Sequence, residues 1–181
     1  AVMLSLILRT DMRSKATLVR PYEWRFSMTD RAALIEAIRR FPAELDALVS
    51  PLTADQLTAH PLAGEWSIAQ NVHHLADAHI NGYIRARLAL TEEHPPLKPY
   101  DQDTWAALAD AGSADLSPSM AILRGIHSRW ADLFASLDDT QFARTGYHLA
   151  AGEYSVQFIL EHYVEHGELH LEQILRTMAA L

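Results

Sequence analysis

Apolar residues recur at three- and four-residue intervals along most of this chain, the spacing of one face of an α-helix. In the first such segment Leu34, Ile35, Ile38, Phe41, Leu45, Leu48 and Val49 follow a cap expected at Thr29 or Ser27. Pro42 within it predicts a kink or break near Arg39, and Pro51 closes it. Leu52 to Gly64 reads as a connector with one helical turn at Ala54 to Leu57. Ser67 and Gln70 then fit a capping box, with Trp66 outside as a hydrophobic staple, and open a second helix running to about Thr91. Pro95 and Pro96 forbid its continuation, so Glu92 to Pro99 crosses over in extended or turned form before a short helix at Trp105 to Leu108. Ser117 and Pro118 start a third helix that carries Met120, Leu123, Trp130 and Phe134 to Asp138. Gly146 to Glu153 reads as a turn region, and Ser155 starts a fourth helix through Ile159, Tyr163 and Ile174 to Met178. No strand pattern competes. The expectation is an all-α four-helix bundle with a long, proline-containing crossover connection.

Composition narrows this picture. A chain of 181 residues, 49% hydrophobic, suits one core, and the expected organisation is a single bundle domain over 27–181 behind a poorly organised arm at 1–26. The apolar run Ala1 to Leu8 is too short to span a bilayer and has no basic segment before it, so neither membrane nor secretion is expected and the cytoplasm is the expected location. A net charge of −8 argues against nucleic acid as a partner and favours small molecules. With no cysteine, disulfides, thiolate metal sites and a cysteine nucleophile are excluded, and any metal must rest on His, Asp or Glu.

Histidine is where the chain departs from a plain bundle. Six of the ten histidines fall in two windows, His73, His74 and His79 on the second helix and His162, His166 and His170 on the fourth. His166 and His170, four apart, share a helix face and can reach one ion, although that spacing alone also fits a solvated face or a hydrogen-bonded core. His162 extends the face by a turn, and three turns span about 12 Å, too far for one ion to take all three. His73 and His74 are adjacent and point about 100° apart, so only one faces inward. His74 shares its face with Asp77, Ala78 and Asn81, a small and polar stripe that favours it as the buried one. Three imidazoles on one cation would leave a coordination position open, as in catalytic zinc sites. His79 lies off the stripe and is left unassigned.

The segment from Gly64 to Asn81, GEWSIAQNVHHLADAHIN, resembles the DinB/YfiT-like metalloenzymes, above all the YfiT branch. The likeness continues through Tyr83-Ile84-Arg85, Leu90-Thr91-Glu92-Glu93, Lys98-Pro99-Tyr100-Asp101 with Trp105, His127-Ser128-Arg129-Trp130, Tyr147-His148 and the His166-to-His170 motif, roughly residues 20 to 178. It implies a four-helix bundle holding one divalent metal, zinc or nickel, on three histidines. Matched by motif these are His74, His166 and His170. The YfiT branch usually carries a further histidine just before the last ligand, where this chain has Leu169.

Such a site would polarise a bound water or substrate oxygen, and metal-dependent hydrolysis is the activity that the resemblance implies. The same position could bind a low-molecular-weight thiol, which would make the protein a thiol-dependent S-transferase. A closed, four-ligand shell would instead mark a non-catalytic interaction module. No general acid or base is identified; Asp77, Glu65 and His73 are the candidates for supporting the ligands from behind. Arg85 and Arg129 could each bind a carboxylate or lie in surface ion pairs. A homodimer suits bundles of this kind.

Overall fold

The computed structural model describes residues 30–181, so the arm at 1–26 and the caps expected at Ser27 and Thr29 lie outside the described residues. The first helix, α1 (Arg31–Val49), starts at Asp30, whose side chain accepts from the Ala33 N–H. Pro42 does not split α1, which runs unbroken through it. A proline costs a helix one hydrogen bond and some crowding, and the burial of Leu34, Ile38, Phe41 and Leu45 on one face outweighs that locally. The connector forms α2 (Ala54–Thr58), capped by Thr53.

Helix α3 (Ile68–Thr91) begins as its sequence dictates: Ser67 accepts from Gln70 N–H while the Gln70 side chain accepts from Ser67 N–H. After it come β1 (Pro96–Leu97), α4 (Gln102–Ala106) and a 3₁₀ turn at Ala109–Gly112, which places the short helix slightly before the expected Trp105 to Leu108. Helix α5 (Ser117–Ala135) has Pro118 in its first turn and stops short of Asp138, which caps a separate α6 (Asp139–Phe142). Helix α7 (Val156–Ala179) starts at the Ser155 cap.

The turn region expected at Gly146 to Glu153 is instead a hairpin. Strands β2 (Thr145–His148) and β3 (Gly152–Ser155) pair antiparallel, and β1 joins β2 in parallel with Pro96 opposite Tyr147, giving a three-stranded sheet. Strands of two and four residues are too short to show a period of two in the sequence, and their pairing is set by the crossover lying alongside the hairpin.

The bundle interior is divided in two. One apolar cluster gathers Leu34 and Ile38 of α1, Trp130 and Phe134 of α5, and Ile159, Leu160 and Tyr163 of α7. The other gathers Leu45 of α1, Val72 and Leu75 of α3, Leu123 of α5 and Ile174 of α7. On α5 and α7 the interval between the two clusters is where His127, His166 and His170 stand, and on α3 His74 and His79 flank it.

Candidate metal centre

His74 of α3 meets His166 and His170 of α7 across the bundle. One nitrogen from each of the three lies within 4.8 Å of the other two. His74 Nε2 and His166 Nε2 are 3.3 Å apart, and the His166 and His170 ring centres are 4.5 Å apart. Trp66 packs 4.8 Å from the His74 ring and stacks on His170 at 6.2 Å, which makes it a wall of the cluster. Tyr100, on the crossover, lies 6.5 Å from His74 and 4.5 Å from Trp105, so the proline-containing connection does approach the site.

The electrostatics favour bare nitrogens. Burial is the main force in every case, holding His74 down to about 3 with help from His166, and His170 down to about 3 with help from His74. His166 is pushed well below the ordinary imidazole range by burial and then by His170 and His162. All three are therefore neutral at pH 7 and need shed no proton to accept a cation.

The geometry fits a small divalent ion. Metal–imidazole bonds of about 2.0–2.1 Å in tetrahedral geometry require donor atoms about 3.3 Å apart. The His74–His166 separation already has that value. With both Nε2 atoms bare, a cation between them would take the place of the hydrogen bond that one N–H could otherwise make there.

Other contacts were not evident from the sequence. Asn71, three residues before His74, accepts from His170 Nδ1 at 2.8 Å, and its amide is oriented by donating to the Ser67 carbonyl at 3.0 Å. The interval of three that puts Asn71 on the His74 face was the available signal. His79, left without a role by its position off the polar stripe, is fully buried, with its Nε2 3.3 Å from His166 Nδ1 and its Nδ1 2.7 Å from His127 Nε2. His127 comes from α5, and no spacing in the sequence relates it to either window.

The three supporting candidates are held elsewhere. His73 turns towards α5, where it bonds Ser119 Oγ at 2.8 Å and the Ser113 carbonyl at 3.0 Å. Glu65 pairs with Arg176 at 3.1 Å. Asp77 sits beside Asp110 and His73, its pKa raised by burial and by Asp110. His162 stacks on Phe158 and lies 6.0 Å from His166 by ring centres, outside the trio. Of the two arginines, Arg129 is exposed, whereas Arg85 is buried and donates to Tyr163 Oη and the Lys98 carbonyl rather than to a surface carboxylate.

The sequence profile of the DinB superfamily matches residues 37–174. The chain belongs to the DinB superfamily. The Bacillus subtilis (strain 168) protein named "Putative metal-dependent hydrolase YfiT" is 41% identical over 141 residues, covering 77% of this chain and 79% of its own. A Geobacillus thermodenitrificans (strain NG80-2) protein of the same hydrolase description is 38% identical over 151 residues, covering 83% and 85%. The solved YfiT structure, described as "a probable metal-dependent hydrolase with an unusual four-helix bundle topology", superposes with a TM-score of 0.79 at 38% identity over 88% of this chain and 91% of that one. A mycothiol-dependent maleylpyruvate isomerase shares the fold, with a TM-score of 0.64 at 14% identity over 84% and 70%. The four-helix bundle expected from periodicity is therefore the fold of this DinB member.

Proposed function

We propose that this DinB-superfamily chain is a metal-dependent hydrolase that holds one divalent ion, Zn2+ or Ni2+, on His74, His166 and His170 and acts on a small molecule. The carrying observation is the convergence of three neutral imidazole nitrogens from two helices, all within 4.8 Å of one another and with one pair, His74 and His166, at the tetrahedral separation. The names of the YfiT relatives support the hydrolase class. Three protein ligands leave one position free, and an ion so held is a Lewis acid that polarises a carbonyl oxygen and brings the pKa of water near neutrality.

This chain's own residues supply the rest. Asn71 orients His170 through its Nδ1–H, and Trp66 gives His74 and His170 an apolar wall that limits water on that side. Tyr100 and Trp105 bring the crossover against His74, where a substrate would be enclosed between the connection and the helices. His73 and Glu65 are engaged with α5 and with Arg176, so neither is offered as a proton carrier.

A thiol-dependent transferase is the second reading, favoured by the mycothiol dependence in the isomerase's name and by the suitability of an open metal position for thiolate. The chain has no cysteine, so the thiol would be a small cosubstrate. Metal-loaded protein assayed against an electrophile library, with and without low-molecular-weight thiols, separates the two. Turnover in water alone supports the hydrolase, and turnover confined to thiol-containing reactions replaces it with the transferase.

A further inference from the structure

We propose that His127 and His79 are positioning residues that fix the tautomer of His166, so that a lone pair on its Nε2, and not an N–H, faces His74 and His170. This rests on the metal-site reading above. Its origin is Pro42. Having no N–H, Pro42 leaves the carbonyl of Ile38, four residues earlier in α1, without its helical donor. His127 Nδ1 reaches that oxygen at 2.6 Å.

A carbonyl oxygen only accepts, so the proton of neutral His127 is on Nδ1 and its Nε2 is a lone pair. His79 Nδ1, 2.7 Å away, must then donate, which leaves His79 Nε2 as an acceptor. His166 Nδ1, 3.3 Å from it, donates in turn, and Nε2 of His166 is left bare on the side of His74. One carbonyl thus sets the direction of three rings on three helices.

The reversed direction is disfavoured at its far end. It would set a lone pair of His127 against the Ile38 oxygen at 2.6 Å, and it would have His79 Nε2–H donate to His166 Nδ1. His166 would then present Nε2–H to the site and could not ligate. Phe41 holds the intermediate rings in place, stacking on His79 at 5.4 Å and on His127 at 5.2 Å. His170 has a shorter version of the same device in the Ser67 carbonyl and Asn71.

Long-range proton–nitrogen correlation spectra of the metal-free protein read each tautomer directly. The expected result is Nδ1–H with bare Nε2 at His127, His79 and His166. In His127→Phe, which keeps a flat ring beside Phe41 but removes the acceptor, His166 is expected to populate the Nε2–H tautomer. Zn2+ affinity measured by chelator competition should fall about 10–100-fold. An Nε2–H tautomer at His166 in the wild-type protein overturns the proposal, as does a folded His127→Phe variant with unchanged tautomers and unchanged affinity. Should His127→Phe fail to fold, the wild-type spectrum decides alone. Failure of the underlying metal reading shows up separately, as wild-type protein that has the stated tautomers yet binds neither Zn2+ nor Ni2+, and the positioning role falls with it.

Discussion

His74 Nε2 on α3 and His166 Nε2 on α7 approach to 3.3 Å, end to end, with both rings held neutral by their surroundings. A neutral imidazole pair at this distance either shares one N–H between the rings or, with both nitrogens bare, leaves a place for a cation. The packing of α3 against α7 brings the two nitrogens to the separation that a tetrahedral ion requires of its ligands.

Each ligand should matter more than any residue behind it. Untagged wild-type protein is expected to carry about one divalent ion per chain, and His74→Ala, His166→Ala and His170→Ala should each lose it, an effect beyond the ~10–100-fold expected for an outer contact. Elemental analysis after gel filtration measures this. Full retention in all three variants would remove the site.

Acid should destabilise the metal-free protein early. The folded chain holds His74 and His170 at about 3 and His127 at about 4, against the ordinary value of 6.5 regained on unfolding. Below pH 6.5 the unfolded chain therefore binds protons that the folded chain refuses, and stability falls as the pH drops towards the folded values. Each such histidine contributes up to about 1.4 kcal/mol per pH unit in that window. Thermal melts at pH 7, 6 and 5 should show a steep decline that Zn2+ shifts to lower pH. A flat profile would contradict the buried neutral rings.

Metal uptake should be visible through Trp66. Its ring lies 4.8 Å from His74 and 6.2 Å from His170. Titration with Ni2+ or Co2+, whose unfilled d shells quench nearby indoles, should lower tryptophan fluorescence to a saturating end point. Trp66→Phe should abolish most of the change while leaving the stoichiometry by elemental analysis intact. Equal quenching in the variant would place the ion elsewhere.

Two helical glycines should respond in opposite directions to alanine. A Cβ on Gly82 would fall 2.3 Å from Cζ of Tyr163, so Gly82→Ala should cost about 1–3 kcal/mol despite alanine's better helix propensity. Gly125 on α5 is exposed, with nothing within 4 Å of its would-be Cβ, and Gly125→Ala should stabilise by about 0.5–1 kcal/mol. Urea unfolding of both variants measures the contrast.

The sequence was most legible where structure is local. The Ser67–Gln70 box, the Ser155 cap and the four long amphipathic segments are fixed by residues within a few positions of one another, and all appear where expected. The three-histidine cluster was reachable too, because an interval of four and a small polar stripe are helix-face properties. What stayed hidden depends on distant segments. The β1–β2 pairing joins residues separated by a whole helix, and the His79–His127 contact joins two helices with no spacing rule between them. Pro42 was misread for the same reason, since the neighbour that answers its missing hydrogen bond is on α5.

Gly167 lies between His166 and His170, and a Cβ there would sit 2.7 Å from the Phe41 ring. The gap it leaves in α7 is filled by a residue of α1, a helix that offers no ligand of its own. A two-helix peptide carrying α3 and α7, with all three ligand histidines, would therefore be a poor mimic of this centre. It would lack the ring that seats His79 and the carbonyl to which His127 is tied. The smallest unit that keeps these contacts needs α1 and α5 beside α3 and α7, and a miniaturised version would have to graft the α1 surface along with the three histidines.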